Sequence, residues 1–462
     1  LTRLPSFLQP VWNPDEGFLA TQAGMLAEGG VLYETVVDRK PPLLPWLYTG
    51  VFALFGDESL WPIRALAVLA QLVTAICVAG VARRRWGDRA GMLAGTLYLP
   101  ASIGLAPEDT QAASFGVFML PGTAAAFWFA DRRRWGAAGA AAAVAALTKQ
   151  VGGAVLLPFA WMLWRERDAR GAVRAGLGFV LPVLAAALFT GPGRFLFWTV
   201  TGSASYLSVH GSWLIALGRA AGNALLLAAG CAALLAPIGR LLLRRHRVAD
   251  PDLWLWLAGS AAGVATGFHF FGHYYLQLIP PLVLLGVGAL HRLPDWHRPV
   301  LAMTAALSSV FLAWGLFAPA GELERARSVA AAVARHTRPS DDVLIWGMHP
   351  ECYWLSGRRP ASRYLTAGLL TNYSGGRGDA LVGPEHGVPG AWRIFRKEIA
   401  ADPPDLVVDD SRGAAYRPSR IPELRRMLER NYRPVGRTGG AVLYRLRADA
   451  RPTTGADGQA AR

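Results

Sequence analysis

The sequence predicts an α-helical polytopic membrane protein of about ten transmembrane helices, with a small α/β domain at its C-terminal end. Three observations carry that expectation. Of 462 residues, 53% are hydrophobic and only 17% are charged. The apolar residues gather in blocks of roughly 17–25, the length that crosses a hydrocarbon core. After residue 320 the blocks stop, and short β-branched runs alternate with amphipathic stretches.

Taken in order, residues 1–61 carry two polar clusters, Asn13-Pro14-Asp15-Glu16 and Asp38-Arg39-Lys40-Pro41-Pro42. The apolar stretch 43–56 is short for a span and reads as an interfacial or re-entrant helix. Region 62–319 holds the spans: 62–82, 90–106, 111–130, 136–148, 151–164, 175–190, 214–239, 252–268, 276–290 and 299–318. The chain starts at Leu1 with no apolar block before Asp15, so a preceding helix is expected. Residues 320–446 read as the α/β domain, with an amphipathic helix over 322–338 and helical patterns at 392–401 and 421–430. Strands are expected at 343–346, 406–408 and 441–444, and 447–462 reads as a polar disordered tail.

The formal charge is +15, yet the arginines neither share a face nor cluster in one domain, which argues against nucleic acid as partner. They stand at every second junction between blocks: 83–89, 132–134, 165–174, 240–247 and 292–298. The positive-inside rule makes those junctions cytoplasmic. The acidic loop, Glu108/Asp109, Lys149, the 191–213 loop with Arg194, Tyr206 and His210, and His269/His273 then share the outer face, as does the C-terminal domain. Three cysteines show no metal spacing and no disulfide framework.

Ionisable residues at membrane depth are costly, which makes these clusters the candidate chemistry. Asp15 and Glu16 are adjacent, so mutual repulsion would raise one carboxyl and suit it to act as a base. On the residues alone the stronger reading is that Asp15 caps a helix starting near Glu16, and the two roles are compatible. Glu108 and Asp109 could cap the span from Thr110. Lys40, before two prolines, suits a lipid phosphate or a snorkelling role. Lys149 and Arg64 read as anchors near span ends. His269 and His273, four apart, could share a helix face; with no third ligand a metal is disfavoured, and a phosphate or sugar contact through His273, Tyr274 and Gln277 is the better reading. No phosphate loop, Ser-His-Asp order or HExxH motif occurs. No cofactor is expected, and the sequence leaves a divalent metal open.

The order Asp15-Glu16, Asp38-x-Lys40-Pro41-Pro42-Leu43, the acidic pair 108–109, Leu147-Thr148-Lys149 and His273-Tyr274-Tyr275-Leu276-Gln277 resembles the GT-C membrane glycosyltransferases. The likeness is to the protein mannosyltransferase, aminoarabinose transferase and Rgt-like group, over about 13–320. It implies a polyprenyl-phosphate sugar donor, an extracytoplasmic lipid, glycan or protein acceptor, and inversion at the sugar carbon. Asp15, with Glu16, would then be catalytic, Asp15 as base. Lys40 would hold the donor phosphate, with His273 and Tyr274 nearby and Glu108 or Asp109 orienting sugar or acceptor. Asp38, Arg39, Lys149, Arg194 and Gln277 complete the expected substrate-binding set. Phe18 stands where aminoarabinose transferases carry an arginine, so the donor sugar stays open and Lys40 needs a second cation, Arg39 or Arg194. The rival readings are a lipid or polysaccharide transporter, and a non-catalytic membrane sensor.

Overall fold

The computed structural model describes residues 1–202, 213–246, 251–374 and 381–450. Tyr206 and His210, and the tail from 451, lie outside them. The chain forms two units, Leu1–Pro319 and Ala320–Arg462.

The first unit is helical. Its helices are Pro14–Ala27 (α1), Leu43–Phe55 (α2), Trp61–Trp86 (α3), Asp88–Ala101 (α4), Pro107–Thr110 (α5), Phe115–Asp131 (α6), Trp135–Thr148 (α7), Leu156–Glu166 (α8) and Ala169–Thr190 (α9). Pro192–Thr199 (α10), Trp213–Gly230 (α11), Ala232–Leu243 (α12), Pro251–Ala265 (α13), Ile279–Arg292 (α14) and His297–Phe317 (α15) follow. Among the described residues, five stretches are long and apolar enough to cross a membrane: α3, α9, α11, Gly272–Arg292 and Pro294–His336. Four shorter apolar helices, α2, α6, α7 and α12, accompany them.

Several expected spans are broken. The block 214–239 divides at Cys231 into α11 and α12. The block 111–130 becomes helical only at Phe115, and 276–290 is entered through a 3-10 turn, Gly272–Leu278. Glu108 and Asp109 therefore belong to the one-turn α5 and do not cap a span.

The Ala/Gly content of α7 has a packing reason. A Cβ added to Gly139 would collide with the Ala175 carbonyl on α9, so only glycine admits this approach.

The arginine-rich junctions meet one another. Arg85 at the end of α3 contacts Asp131 at 2.9 Å and Asp252 at 3.1 Å. Arg133 pairs with Glu166, and Trp135 Nε1 donates to Asp168 at 3.0 Å. Arg64, near the other end of α3, is about 30 Å away along the helix at 1.5 Å per residue, close to the thickness of a bilayer core. It contacts Glu16 instead. The two classes of junction thus lie at opposite ends of α3.

The second unit begins with Gly321–His336 (α16). Strands Asp342–Trp346 (β1), Arg359–Pro360 (β2), Leu406–Asp409 (β3), Tyr432–Thr438 (β4) and Ala441–Leu446 (β5) form one sheet in the order β2-β1-β3-β5-β4. β1 pairs in parallel with β2 and β3, and β5 is antiparallel to β3 and β4. Val343 to Trp346 and Leu406 to Val408 are buried, which explains their unbroken apolar runs. β4 was not expected from sequence. It is an edge strand carrying Arg433, Pro434 and Arg437, with no apolar alternation to mark it.

Candidate active site

The site grows from the start of α1. Asn13, not Asp15, caps this helix: its side-chain oxygen accepts the Glu16 N–H at 3.1 Å, with Pro14 in the first turn. The Asn13 amide also donates to the Glu108 carbonyl at 2.8 Å, tying α1 to α5. Capping is thus done without the Asp15 carboxylate.

Successive helical residues point about 100° apart, so Asp15 and Glu16 face different surroundings. Glu16 is fully buried. Arg64 reaches it through Nε at 3.1 Å and Nη2 at 2.8 Å, and the N–H groups of Trp12 and Ala113 donate to it at 2.8 and 2.6 Å. Arg64 further donates to the carbonyls of Ser6, Gln9 and Pro10. Glu16 has both oxygens committed to structure, and Arg64 is a buried clamp, not an interfacial anchor.

Asp15 is 29% exposed. Lys40 Nζ lies 3.3 Å from its Oδ1 and His273 Nε2 lies 3.9 Å from its Oδ2. Burial opposes its ionisation, but Lys40, His273 and Lys149 outweigh that and hold the carboxyl below its usual value. At Asp15 the raised carboxyl expected from like-charge repulsion is reversed by these neighbours. Asp38 shows the opposite balance. It is buried, Lys40 only partly offsets this while Asp15 repels it, and its carboxyl is raised. Its Oδ2 has no hydrogen-bond partner among the described residues.

Two lysines flank the carboxylates, each over an aromatic face. Lys40 Nζ sits 4.1 Å from the centre of the Phe115 ring, and Lys149 Nζ 3.9 Å from that of Tyr274. Lys149 is 8% exposed, and burial, helped by the charge of Lys40, pushes its amine down to about 7.

His273 enters on the 3-10 turn. Its N–H donates to Asp109 Oδ1 at 2.8 Å, and its Nδ1 lies 3.2 Å from the same oxygen. A Cβ on Gly272 would strike the Asp109 carboxylate, so glycine is required for this approach. Just before it, Phe268 and Phe270 take left-handed backbone conformations, with φ of 54° and 49°. Such residues persist only where neighbours hold them. Arg219 donates to the His269 carbonyl and Asn223 to the Phe270 carbonyl, both at 2.9 Å and both from α11.

The structure brings together Asp15, Lys40, Asp38, Asp109, Lys149, His273 and Tyr274. The remaining expected residues stand apart or contribute through backbone. Arg39 offers its carbonyl to Gln150 Nε2 at 2.7 Å, and the Glu108 carboxyl is raised by burial. Gln277 is buried and donates to the Tyr274 carbonyl at 2.9 Å. Arg194 pairs with Glu34 at 2.5 Å. His269 precedes the turn that carries His273, so the two do not share a helix face. No group of three or more metal-ligating side chains occurs among the described residues. Sequence reading gave no role to Asn13, Phe115, Arg219 or Asn223. Of these Asn13, before Pro14, carried the signal of a helix cap, and Arg219 that of a lone charge within an apolar block.

The helical unit, with a carboxylate and lysine cluster at one end of its long helix, shares its fold with solved structures, in line with the resemblance read from the sequence. Residues 39–192 match the family described as dolichyl-phosphate-mannose-protein mannosyltransferase. The chain is similar to ArnT from Cupriavidus metallidurans, at 17% identity over 98% of this chain. In the apo state 96% of ArnT is covered with a TM-score of 0.60; bound to undecaprenyl phosphate, 97% is covered with 0.61. It is also similar to the oligosaccharyltransferase AglB from Archaeoglobus fulgidus in complex with an inhibitory peptide and a dolichol-phosphate. There the identity is 11% and the TM-score 0.53, over 97% of this chain and 72% of that one. Among curated proteins none matches.

Proposed function

We propose that this protein is a multi-pass inner-membrane glycosyltransferase that moves a sugar from a polyprenyl-phosphate donor to an extracytoplasmic acceptor, with inversion. The observation that carries the reading is the division of labour between Asp15 and Glu16. Glu16 is consumed by Arg64, which leaves Asp15 ionised, part-exposed and beside Lys40. The match to a lipid-phosphate-mannose transferase family over 39–192 supports it, as do similar folds solved with undecaprenyl phosphate and dolichol-phosphate.

In this mechanism the acceptor hydroxyl gives its proton to Asp15 as its oxygen bonds to the sugar carbon. The bond from that carbon to the phosphate oxygen breaks on the opposite side, and the polyprenyl phosphate leaves with the electron pair. Lys40 and Lys149 stabilise the charge that grows on it, an interaction strongest in the transition state. No metal is required in this scheme. The arginine-rich ends face the cytoplasm by the positive-inside rule, which puts the cluster outside.

The test is sugar transfer in vesicles holding the full chain, with a panel of radiolabelled polyprenyl-phosphate sugars and an Asp15→Asn variant. Transfer by the parent that falls at least about 100-fold in the variant supports the reading. Equal transfer by both removes Asp15 as base. Movement of the lipid across the bilayer without sugar transfer would establish a transporter instead.

A further inference from the structure

Asp15 must lose the proton it takes before it can act again, and among the described residues two charged or ring groups pair with it. Lys40 faces its Oδ1 and, as an ammonium, has no lone pair to accept a proton. His273 faces its Oδ2 through Nε2, at 3.9 Å. The other ring nitrogen, Nδ1, is 3.2 Å from Asp109 Oδ1, which also receives the His273 N–H at 2.8 Å. One carboxylate oxygen thus fixes both the backbone and the ring. A carboxylate at Nδ1 favours the tautomer with its proton there, which leaves the Nε2 lone pair turned to Asp15. The ring is held on two further sides, parallel to Phe271 with centres 5.8 Å apart and edge-on to Tyr274 at 4.8 Å. Asp109 is therefore occupied in orienting His273, a task different from the contact with sugar or acceptor that the resemblance implies.

We propose that His273, oriented by Asp109, is the positioning residue for Asp15 and carries its proton away after transfer. This rests on the reading of Asp15 as base. After the acceptor proton has reached Asp15, the Oδ2–H bond breaks and an Nε2–H bond forms. The carboxylate is restored and the imidazolium is paired with Asp109. The Nε2 proton then passes to water, returning neutral imidazole. Closing 3.9 Å to a hydrogen bond asks for about 1 Å of movement, ordinary for an unliganded site. The charged groups around the ring are Asp15 from α1, Asp109 from α5, Lys40 from the loop before α2, and Lys149 beyond α7.

The experiment compares the parent with His273→Ala, Asp109→Asn and the double variant, all as full chains in vesicles. The readouts are kcat, KM for the donor lipid, and the response to added imidazole. The expected result is a loss of about 100-fold in kcat for each single variant with donor KM within about twofold. The double variant loses little more, and imidazole restores part of the His273→Ala rate, the more so as its neutral form increases. Asp109→Asn is nearly isosteric and serves as the second probe should His273→Ala insert poorly. A raised donor KM with unchanged kcat would make His273 a phosphate ligand and overturn the proposal. Multiplying losses without imidazole rescue would reduce both residues to structure. Parent transfer that Asp15→Asn abolishes and His273→Ala leaves intact sinks this inference alone. Absence of any parent transfer sinks it together with the reading beneath it.

Discussion

The Glu16–Arg64 pair sets up a double-mutant cycle whose outcome can be worked from its contacts. Arg64 is 1% exposed and Glu16 fully buried. Arg64→Met leaves a buried carboxylate with only the Trp12 and Ala113 N–H groups, and strips the carbonyls of Ser6, Gln9 and Pro10 of their donor. Removing one partner of a buried ion pair costs about 3–5 kcal/mol. Glu16→Gln keeps the shape and leaves the guanidinium its three carbonyls, so the loss of hydrogen bonds to a charge costs about 1.5–3 kcal/mol. With both changes no uncompensated charge remains, and the double variant should fall short of the sum by about 2 kcal/mol. The measurement is equilibrium denaturation of the four detergent-purified proteins. Arg64→Met costing under about 1 kcal/mol, or losses that simply add, would refute the view that this pair is a structural clamp.

Lys149, pushed to about 7 by burial, is cationic below that pH and neutral above it. Donor binding should therefore weaken as pH rises, with KM for the lipid climbing by up to about tenfold per pH unit above 7 and Lys149→Met flattening the rise. Asp15 is held low in the free site by its cationic neighbours, and a bound phosphate would draw Lys40 away and add negative charge. The acid limb of kcat, which reports the donor complex, should then lie at higher pH than that of kcat/KM for the donor, as parallel pH profiles would show. Gly272→Ala should displace His273 from Asp109 and lower kcat by at least about tenfold without unfolding the chain, read by activity alongside thermal melting.

What the sequence made legible, and what it did not, follows the range of the interactions involved. Lys40, Lys149 and His273 stood out because polar groups beside long apolar blocks are costly to place. The different fates of Asp15 and Glu16 could not be read locally, because the deciding partner, Arg64, is 48 residues away. Asn13, before Pro14, carried the signal of a helix cap, and that cap determines where α1 begins. The breaks in the expected spans were hidden for another reason. The expected spans 252–268 and 276–290 overran the helices only at their ends, because hydropathy does not distinguish the left-handed Phe268 or the end of the 3-10 turn at 276–278 from α-helix. In the C-terminal unit β1 and β3 were plain from their buried apolar runs. The edge strand β4, rich in arginine, was not.

Keeping a carboxylate ionised next to a second acid poses a problem that this fold resolves by phase and distance. A second acid adjacent to the first would ordinarily repel it and favour the protonated form. Turning Glu16 about 100° away and closing Arg64 over it cancels that charge within the bundle. What faces Asp15 is then cationic on one side and an oriented imidazole on the other. The clamp also binds the residues before α1 through the carbonyls of Ser6, Gln9 and Pro10, so the first turn of α1, which carries Asp15, is fixed at both its flanks. Because Arg64 sits near the start of the same helix whose far end carries Arg85, one rigid element sets both the depth of the site and the position of the basic end. A helix of this length, 26 residues, is long enough to carry that relation across a hydrocarbon core.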